Sequence, residues 1–333
     1  MLKNENNDII FIFKGWNNKI VIKDDSQNSI EARVPIIVSA SRATDIPAFY
    51  ADWFFDRLKK CYVRWRNPFN GKDSYVSFAN TRFIVFWSKN PRPLIPHLAE
   101  LKERGIGCYI QYTLNDYERE GLEPRLPSLQ SRIETFKELV GILGEGSVVW
   151  RFDPLVLTET IGVDELLNKI AGIADRLDGA AEKMVFSFAD VAGYKKVGGN
   201  LTRYAISYRE WTESEMQEFA EKLSEKDVIW NLQLATCAEP IDLSPYGIAH
   251  NKCIDDELIS RLSPGDPVLQ MHLFGAGKDK GQRKPCGCIQ AKDLGAYNTC
   301  PHLCRYCYAN SSEETVLANY HRHMLNPNND SII

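Results

Sequence analysis

Val148-Val149-Trp150-Arg151-Phe152-Asp153-Pro154 is a short apolar run that ends in an Arg and an Asp, and an amphipathic helical pattern, Val163 to Leu177, follows it. The same beat recurs along the chain. Apolar runs at Ile36 to Ser39, Phe83 to Trp87, Cys108 to Tyr112, Met184 to Phe188 and Val228 to Leu234 alternate with helical patterns at Ala48 to Leu58, Pro93 to Arg104, Leu129 to Leu143 and Glu213 to Lys226. Short apolar strands between amphipathic helices predict βα units and a parallel sheet covered on both faces. These units, with one more near the carboxyl terminus, predict an α/β fold that is a complete or partial (β/α) TIM-like barrel.

In such barrels the site lies where strands end and loops begin. Polar groups gather there: Ser39, Ser41, Arg42, Thr44 and Asp45 after the first run, then Trp87-Ser88-Lys89-Asn90, Gln111 and Thr113, Arg151 and Asp153, Ser187 and Asp190, and Gln233 and Thr236. Arg42, Arg151 and Asp153 are the catalytic candidates. A structural ion pair competes for Arg151 and Asp153. Helix capping competes for Asp45, because Asp-Ile-Pro-Ala is a good helix start.

The carboxyl third adds different chemistry. Seven of the nine cysteines lie there, and three read Cys300-Pro-His-Leu-Cys304-Arg-Tyr-Cys307. Three thiolates on one tight loop can hold three irons of a four-iron cluster and leave the fourth open for chemistry. Ile289 to Leu294 is read as a strand end, Gly295 to Tyr308 as the loop and Glu313 to Met324 as the helix after it. Cys237, Cys253, Cys286 and Cys288 are enough for a second [4Fe-4S] cluster or a tetrahedral zinc. Free buried thiols are the alternative for these four and the assignment for Cys61 and Cys108. The Gly- and Lys-rich stretch from Gly265 to Lys284 reads as a loop.

The stretch Tyr297-Asn298-Thr299-Cys300-Pro301-His302-Leu303-Cys304-Arg305-Tyr306-Cys307-Tyr308-Ala309 resembles the cluster loop of radical S-adenosylmethionine (SAM) enzymes, most closely the spore photoproduct lyase and DNA-repair-photolyase-like group. The chain from about residue 33 to 325 also resembles an uncharacterised bacterial family, the domain of unknown function 1848, through Ser41-Arg42-Ala43-Thr44-Asp45-Ile46-Pro47, Trp87-Ser88-Lys89-Asn90-Pro91 and Cys286-Gly287-Cys288. The loop resemblance implies a [4Fe-4S] cluster on Cys300, Cys304 and Cys307. It also implies bound SAM cleaved reductively to a 5′-deoxyadenosyl radical, and an electron donor such as a ferredoxin or flavodoxin. Radical SAM enzymes carry this loop after the first barrel strand. Its place at the carboxyl end here implies a circularly permuted barrel, or else a separate cluster domain packed on the barrel. The glycine-rich SAM contact of that family has no clear counterpart. Ser39, Ser41, Arg42 and Asp45 are the candidates to replace it, with Tyr306 and Tyr308 as covers for cluster or adenine.

The expected organisation is a hairpin-like appendage over residues 1–32, barrel units over 33–236 and a cysteine-rich iron–sulfur segment over 237–333. The appendage pairs Ile9 to Phe13 with Ile20 to Ile22 across Gly15-Trp16-Asn17-Asn18. The 333 residues carry a formal net charge of −4, so no basic field advertises nucleic acid. The amino terminus lacks an apolar signal core and no apolar run is long enough for a membrane helix, so a cytoplasmic protein is expected. In that compartment, clustered cysteines suggest metal rather than disulfides. An electron-transfer protein without SAM chemistry, or a zinc-binding interaction module, are the alternative functions.

Overall fold

Eight parallel strands carry the expected beat in a computed structural model that describes residues 2–3, 9–10, 18–68 and 70–333. They are β1 (Ile37–Ala40), β2 (Phe83–Ser88), β3 (Gly107–Thr113), β4 (Val148–Leu155), β5 (Lys183–Phe188), β6 (Gln233–Thr236), β7 (Ala249–His250) and β8 (Lys292–Asp293). Their order in the sheet is β7-β6-β5-β4-β3-β2-β1-β8, so chain order is kept from β1 to β7. The last strand, β8, lies parallel on the free side of the first, with Lys292 opposite Val38 and Asp293 opposite Ser39. Beyond the sheet's two edges the chain segments meet again, where the Ile289 N–H donates to the Ile254 carbonyl at 3.1 Å.

Helices fill the connections: α1 (Ile46–Phe49), α2 (Ala51–Lys59), α3 (Leu98–Glu103), α4 (Leu129–Leu143), α5 (Val163–Leu177), α6 (Lys195–Arg203), α7 (Glu213–Asp227), α8 (Asp256–Leu262), α9 (Pro267–Phe274) and α10 (Glu313–Leu325). Local chemistry sets their ends. Ser128 caps α4, and Thr212 with Glu215 forms a capping box on α7. Two expectations shift. Val228 and Ile229 are exposed in the turn after α7, and the strand begins only at Gln233; apolarity alone cannot separate a strand from an exposed turn. Inside the expected loop 265–284, Asp266 accepts from the Val268 and Leu269 N–H groups with Pro267 at the first helical position, which starts α9.

The period of two along the strands sorts their side chains. Val38, Ile84, Phe86, Ile110 and Trp150 join the core under the helices. Ile37, Phe83, Val85, Tyr109 and Val149 pack on the opposite face against Ile254, Leu258, Ile259 and Leu269. Ser39, Trp87, Gln111 and Arg151 share the parity of this second set and stand at its carboxyl end.

Near the amino terminus, Lys19–Lys23 pairs antiparallel with Ser29–Arg33, and Ile9–Ile10 pairs with Leu2–Lys3. The hairpin around residues 19–33 therefore turns at 24–28; the expected turn at Gly15-Trp16-Asn17 and the run Phe11 to Phe13 lie outside the described residues. Residues 29–33 also pair with Asp73–Ser77, which pairs with Tyr62–Arg66, so the strands over 19–33 belong to a four-stranded sheet, while Leu2–Lys3 and Ile9–Ile10 form a separate pair. Among the described residues no helix is long and apolar enough to cross a membrane.

Candidate cysteine-centred site

The loop that carries Cys300, Cys304 and Cys307 begins directly at the end of β8, and its first residues are held by β1. The Asp293 carboxylate accepts from Ser39 Oγ and Ser41 Oγ, both at 2.9 Å, and from the Arg42 N–H at 3.0 Å. Both serine hydroxyls proposed as cofactor contacts thus face a carboxylate of the neighbouring strand. Gly295 follows in a close approach: a Cβ there would stand 1.8 Å from Ser41 Oγ. Thr44 Oγ1 donates to the Ala296 carbonyl at 2.8 Å, and Tyr50 donates to the Thr299 carbonyl at 2.5 Å.

Asp45 has several partners at once. It caps α1 by accepting from the Ala48 N–H at 3.0 Å. It also accepts from Ser88 Oγ at 2.6 Å and the Lys89 N–H at 2.8 Å, and pairs with His302 Nε2 at 2.8 Å. Burial would raise its carboxyl, but the His302 and Ser88 hydrogen bonds hold it below the usual range. His302 is buried, and its Nδ1 has no hydrogen-bond partner among the described residues. Asp45 thus orients the ring between Cys300 and Cys304 and leaves one ring nitrogen over.

A buried polar knot lies on the other side of the loop. Lys89 Nζ reaches Glu123 Oε1 at 2.7 Å and Tyr306 Oη at 2.9 Å. Tyr306 donates to the same carboxylate, and Asn115 Nδ2 donates to it at 3.1 Å. Burial opposes charge on both Lys89 and Glu123, yet their mutual attraction raises the lysine and, with Arg132, lowers the acid. Lys89 also lies within electrostatic reach of Cys304. Burial pushes the thiols of Cys300, Cys304 and Cys307 up. Tyr308 donates to the Arg42 carbonyl at 2.6 Å, and Asn200 on α6 donates to the Cys307 carbonyl at 2.8 Å. The cysteine loop is therefore tied to the segments that follow β1, β2, β3 and β5.

The other four cysteines meet at the seam between the sheet edges. Cys237 and Cys253 stand with their sulfurs 3.4 Å apart. Cys288 Sγ accepts from the Cys253 and Ile254 N–H groups at 3.2 and 3.3 Å, and its proximity draws the Cys286 thiol down to about 7. Arg151 Nη1 lies 3.1 Å from Cys253 Sγ, pairs with Asp153 and reaches Gln111 Oε1 at 3.2 Å. Asp153 also accepts from Ser187; burial raises its carboxyl, but Arg151 and Ser187 outweigh it. Arg42 and Arg151 flank Trp87, with guanidinium carbons 5.2 Å and 5.1 Å from its ring centroid. The ion pair and the strand-end position of Arg151 and Asp153 thus hold together.

Among the described residues, no group of three or more His, Cys, Asp or Glu side chains is already placed to hold a metal ion. The donor types nevertheless fit thiolate-bound metal: buried sulfurs, nearby cations and an unpaired imidazole nitrogen. A cleft lined by Val149, Glu182, Lys183, Asp255 and Arg261 opens at the amino ends of the strands, away from these cysteines.

Reading by spacing passed over Glu123, Asn115, Asp293 and Asn251. Each is an ordinary polar residue of a loop or strand end, and only the fold gives it its partners: Lys89 and Tyr306 for Glu123, Tyr306 for Asn115, Ser39 and Ser41 for Asp293, and Cys253 for Asn251. Lys89 was in view within Trp87-Ser88-Lys89-Asn90, but without its acid.

Fold and site together define an α/β protein with an eight-stranded parallel sheet and seven cysteines gathered at and beyond its strand ends. A family described as a domain of unknown function (DUF1848) matches residues 37–309, from β1 to just past Cys307, and the chain belongs to that family. No curated protein and no solved structure matches the chain.

Proposed function

We propose that this chain is a radical SAM-type iron–sulfur enzyme on a closed, circularly permuted (β/α) barrel, with a [4Fe-4S] cluster on Cys300, Cys304 and Cys307. The observation that carries the reading is the position of the last βα unit. β8 lies beside β1, and its loop brings the three cysteines to the carboxyl ends of the strands, beside polar residues from several neighbouring units. Strand order and the Ile289–Ile254 hydrogen bond favour closure between β7 and β8. Cys300, Cys304 and Cys307 would hold the cluster, and the chemistry it would supply with SAM is one-electron cleavage of the sulfonium to methionine and a hydrogen-abstracting 5′-deoxyadenosyl group.

The residues of the chain orient and neutralise. Lys89 offsets thiolate charge as the loop cysteines lose their protons, and Glu123 and Tyr306 fix its ammonium. Asp45 holds His302 so that Nδ1 is left to meet the bound group. Arg42, Trp87 and Arg151 form the wall in which a substrate is oriented and water excluded. The substrate is a small molecule or macromolecule still to be found, and the electron donor is of ferredoxin or flavodoxin type.

Anaerobic reconstitution with iron and sulfide, followed by a count of iron and of 5′-deoxyadenosine under a strong reductant, tests the reading. About four irons per chain at the loop, nucleoside formation, and loss of both in Cys304→Ala are expected. Iron that stays in Cys304→Ala would reject the loop as the cluster site. A loaded loop that forms no 5′-deoxyadenosine would favour electron transfer, and zinc alone would favour an interaction module.

A further inference from the structure

We infer that Cys237, Cys253, Cys286 and Cys288 form a second centre that takes a single tetrahedral divalent ion of the zinc class, closed by four thiolates. This site stands apart from the cluster loop and does not depend on SAM chemistry. The four residues come from the loop after β6, the segment after β7 and the segment before β8, so only the tertiary fold assembles them.

Three observations carry the inference. The first is contact: sulfur touches sulfur from Cys237 to Cys253 at 3.4 Å, and the Cys253 backbone N–H reaches Cys288 Sγ, with Cys286 two residues before Cys288 in the chain. The second is donor supply. The Cys253 and Ile254 N–H groups point at Cys288 Sγ from 3.2 and 3.3 Å. Arg151 Nη1 and Asn251 Nδ2 point at Cys253 Sγ from 3.1 and 3.2 Å. A neutral thiol is a weak acceptor, whereas a metal-bound thiolate accepts such bonds well. The third is charge. Four thiolates around a divalent ion keep an excess of about two negative charges, and the guanidiniums of Arg42 and Arg151 both lie within electrostatic reach of these sulfurs.

Spacing selects the ion. Metal–sulfur bonds of about 2.3 Å in a tetrahedron set neighbouring sulfurs about 3.8 Å apart, close to the 3.4 Å between Cys237 and Cys253. A four-iron cluster would hold them much farther apart, because each thiolate caps a different iron. As the side chains stand, no three of them surround one point, so binding requires the four side chains to turn toward a common centre. Each ligating thiol releases its proton to solvent.

Cobalt titration of the chelator-stripped full chain under argon tests this, since a tetrahedral thiolate site gives Co²⁺ intense visible and near-ultraviolet bands. About one Co²⁺ per chain with that spectrum is expected, retained in Cys304→Ala and displaced by Zn²⁺. Cys288→Ser should weaken binding at least about a hundredfold, and Asn251→Ala, which removes only a donor to Cys253, about tenfold. If Cys288→Ser loses its native circular dichroism, Cys237→Ser, nearer the surface, takes its place with the same expected loss. A spectrum lost in Cys304→Ala but kept in Cys288→Ser, a Cys237–Cys253 disulfide in place of free thiols, or about four irons still bound to these cysteines in Cys304→Ala would each overturn the assignment.

Discussion

Lys89 shows how a single residue is committed by its surroundings. Its ammonium is largely buried against Glu123, whose side chain is only 2% exposed. Removing the lysine leaves a carboxylate in the interior without its main counter-charge. Lys89→Met should therefore cost about 3 kcal/mol in urea unfolding, and adding Glu123→Gln should restore part of that loss. Equal stability of the single variant and the parent would remove the ion pair from the account. Glu239 behaves in the opposite sense. Its carboxyl accepts from the Phe188 N–H at 3.1 Å, and burial pushes it up to about 7, with Arg283 pulling it down and Asp153 and Cys237 pushing it up. The folded state holds that proton more tightly than the unfolded chain does. Stability should thus fall as pH rises from about 4.5 to about 7, by on the order of 3 kcal/mol at most from this group. In Glu239→Gln that part of the decline should vanish; identical pH profiles for variant and parent would contradict the shift.

The decisive element is the last βα unit. β8 has only two residues, yet Asp293 collects hydrogen bonds from Ser39, Ser41 and Arg42 and so fixes the loop against β1. Gly295 makes this approach feasible, because a Cβ there would collide with Ser41 Oγ at 1.8 Å and crowd its Cβ at 2.9 Å. Turning Ser41 aside would give up its bond to Asp293. Gly295→Ala should cost about 1–3 kcal/mol and lower the iron taken up by the loop, read by denaturant midpoint and metal analysis. Unchanged values in both would show that the loop has slack. The long helices α4, α5 and α7 need less from their neighbours, since each carries its own apolar stripe. α4 and α7 also have side-chain caps.

At the scale of the molecule, the first βα unit and the carboxyl-terminal segment share one structure. Residues of β1 and α2 pack with Leu294, Cys304 and Tyr306 in a single core. Arg64 binds Asp330 near the carboxyl end at 2.8 Å, and Trp53 Nε1 donates to the Asn329 carbonyl at 2.8 Å. Thermal unfolding of the metal-free chain should therefore be one cooperative transition, with matched calorimetric and van't Hoff enthalpies. Two separated transitions would mean that residues 237–333 unfold as a domain of their own.

The sequence alone determined most of the elements and the grouping of the cysteines. Leu129 to Leu143 and Val163 to Leu177 were legible to the residue because helical periodicity and turn signals are local. The three-cysteine loop was legible because its spacing lies within eight residues. The start of β6 and the helix α9 were not, since apolar content and glycine content do not say which backbone partners a segment will find. Only the tertiary structure decided that β8 lies beside β1, that Asp45, already legible as a cap, also pairs with His302, that Lys89 meets Glu123, and that Cys237 touches Cys253. Those contacts join residues from 16 to more than 250 positions apart. Such pairs leave no periodic mark on the chain, because they are set by how the strands stack rather than by what neighbours each residue along the backbone.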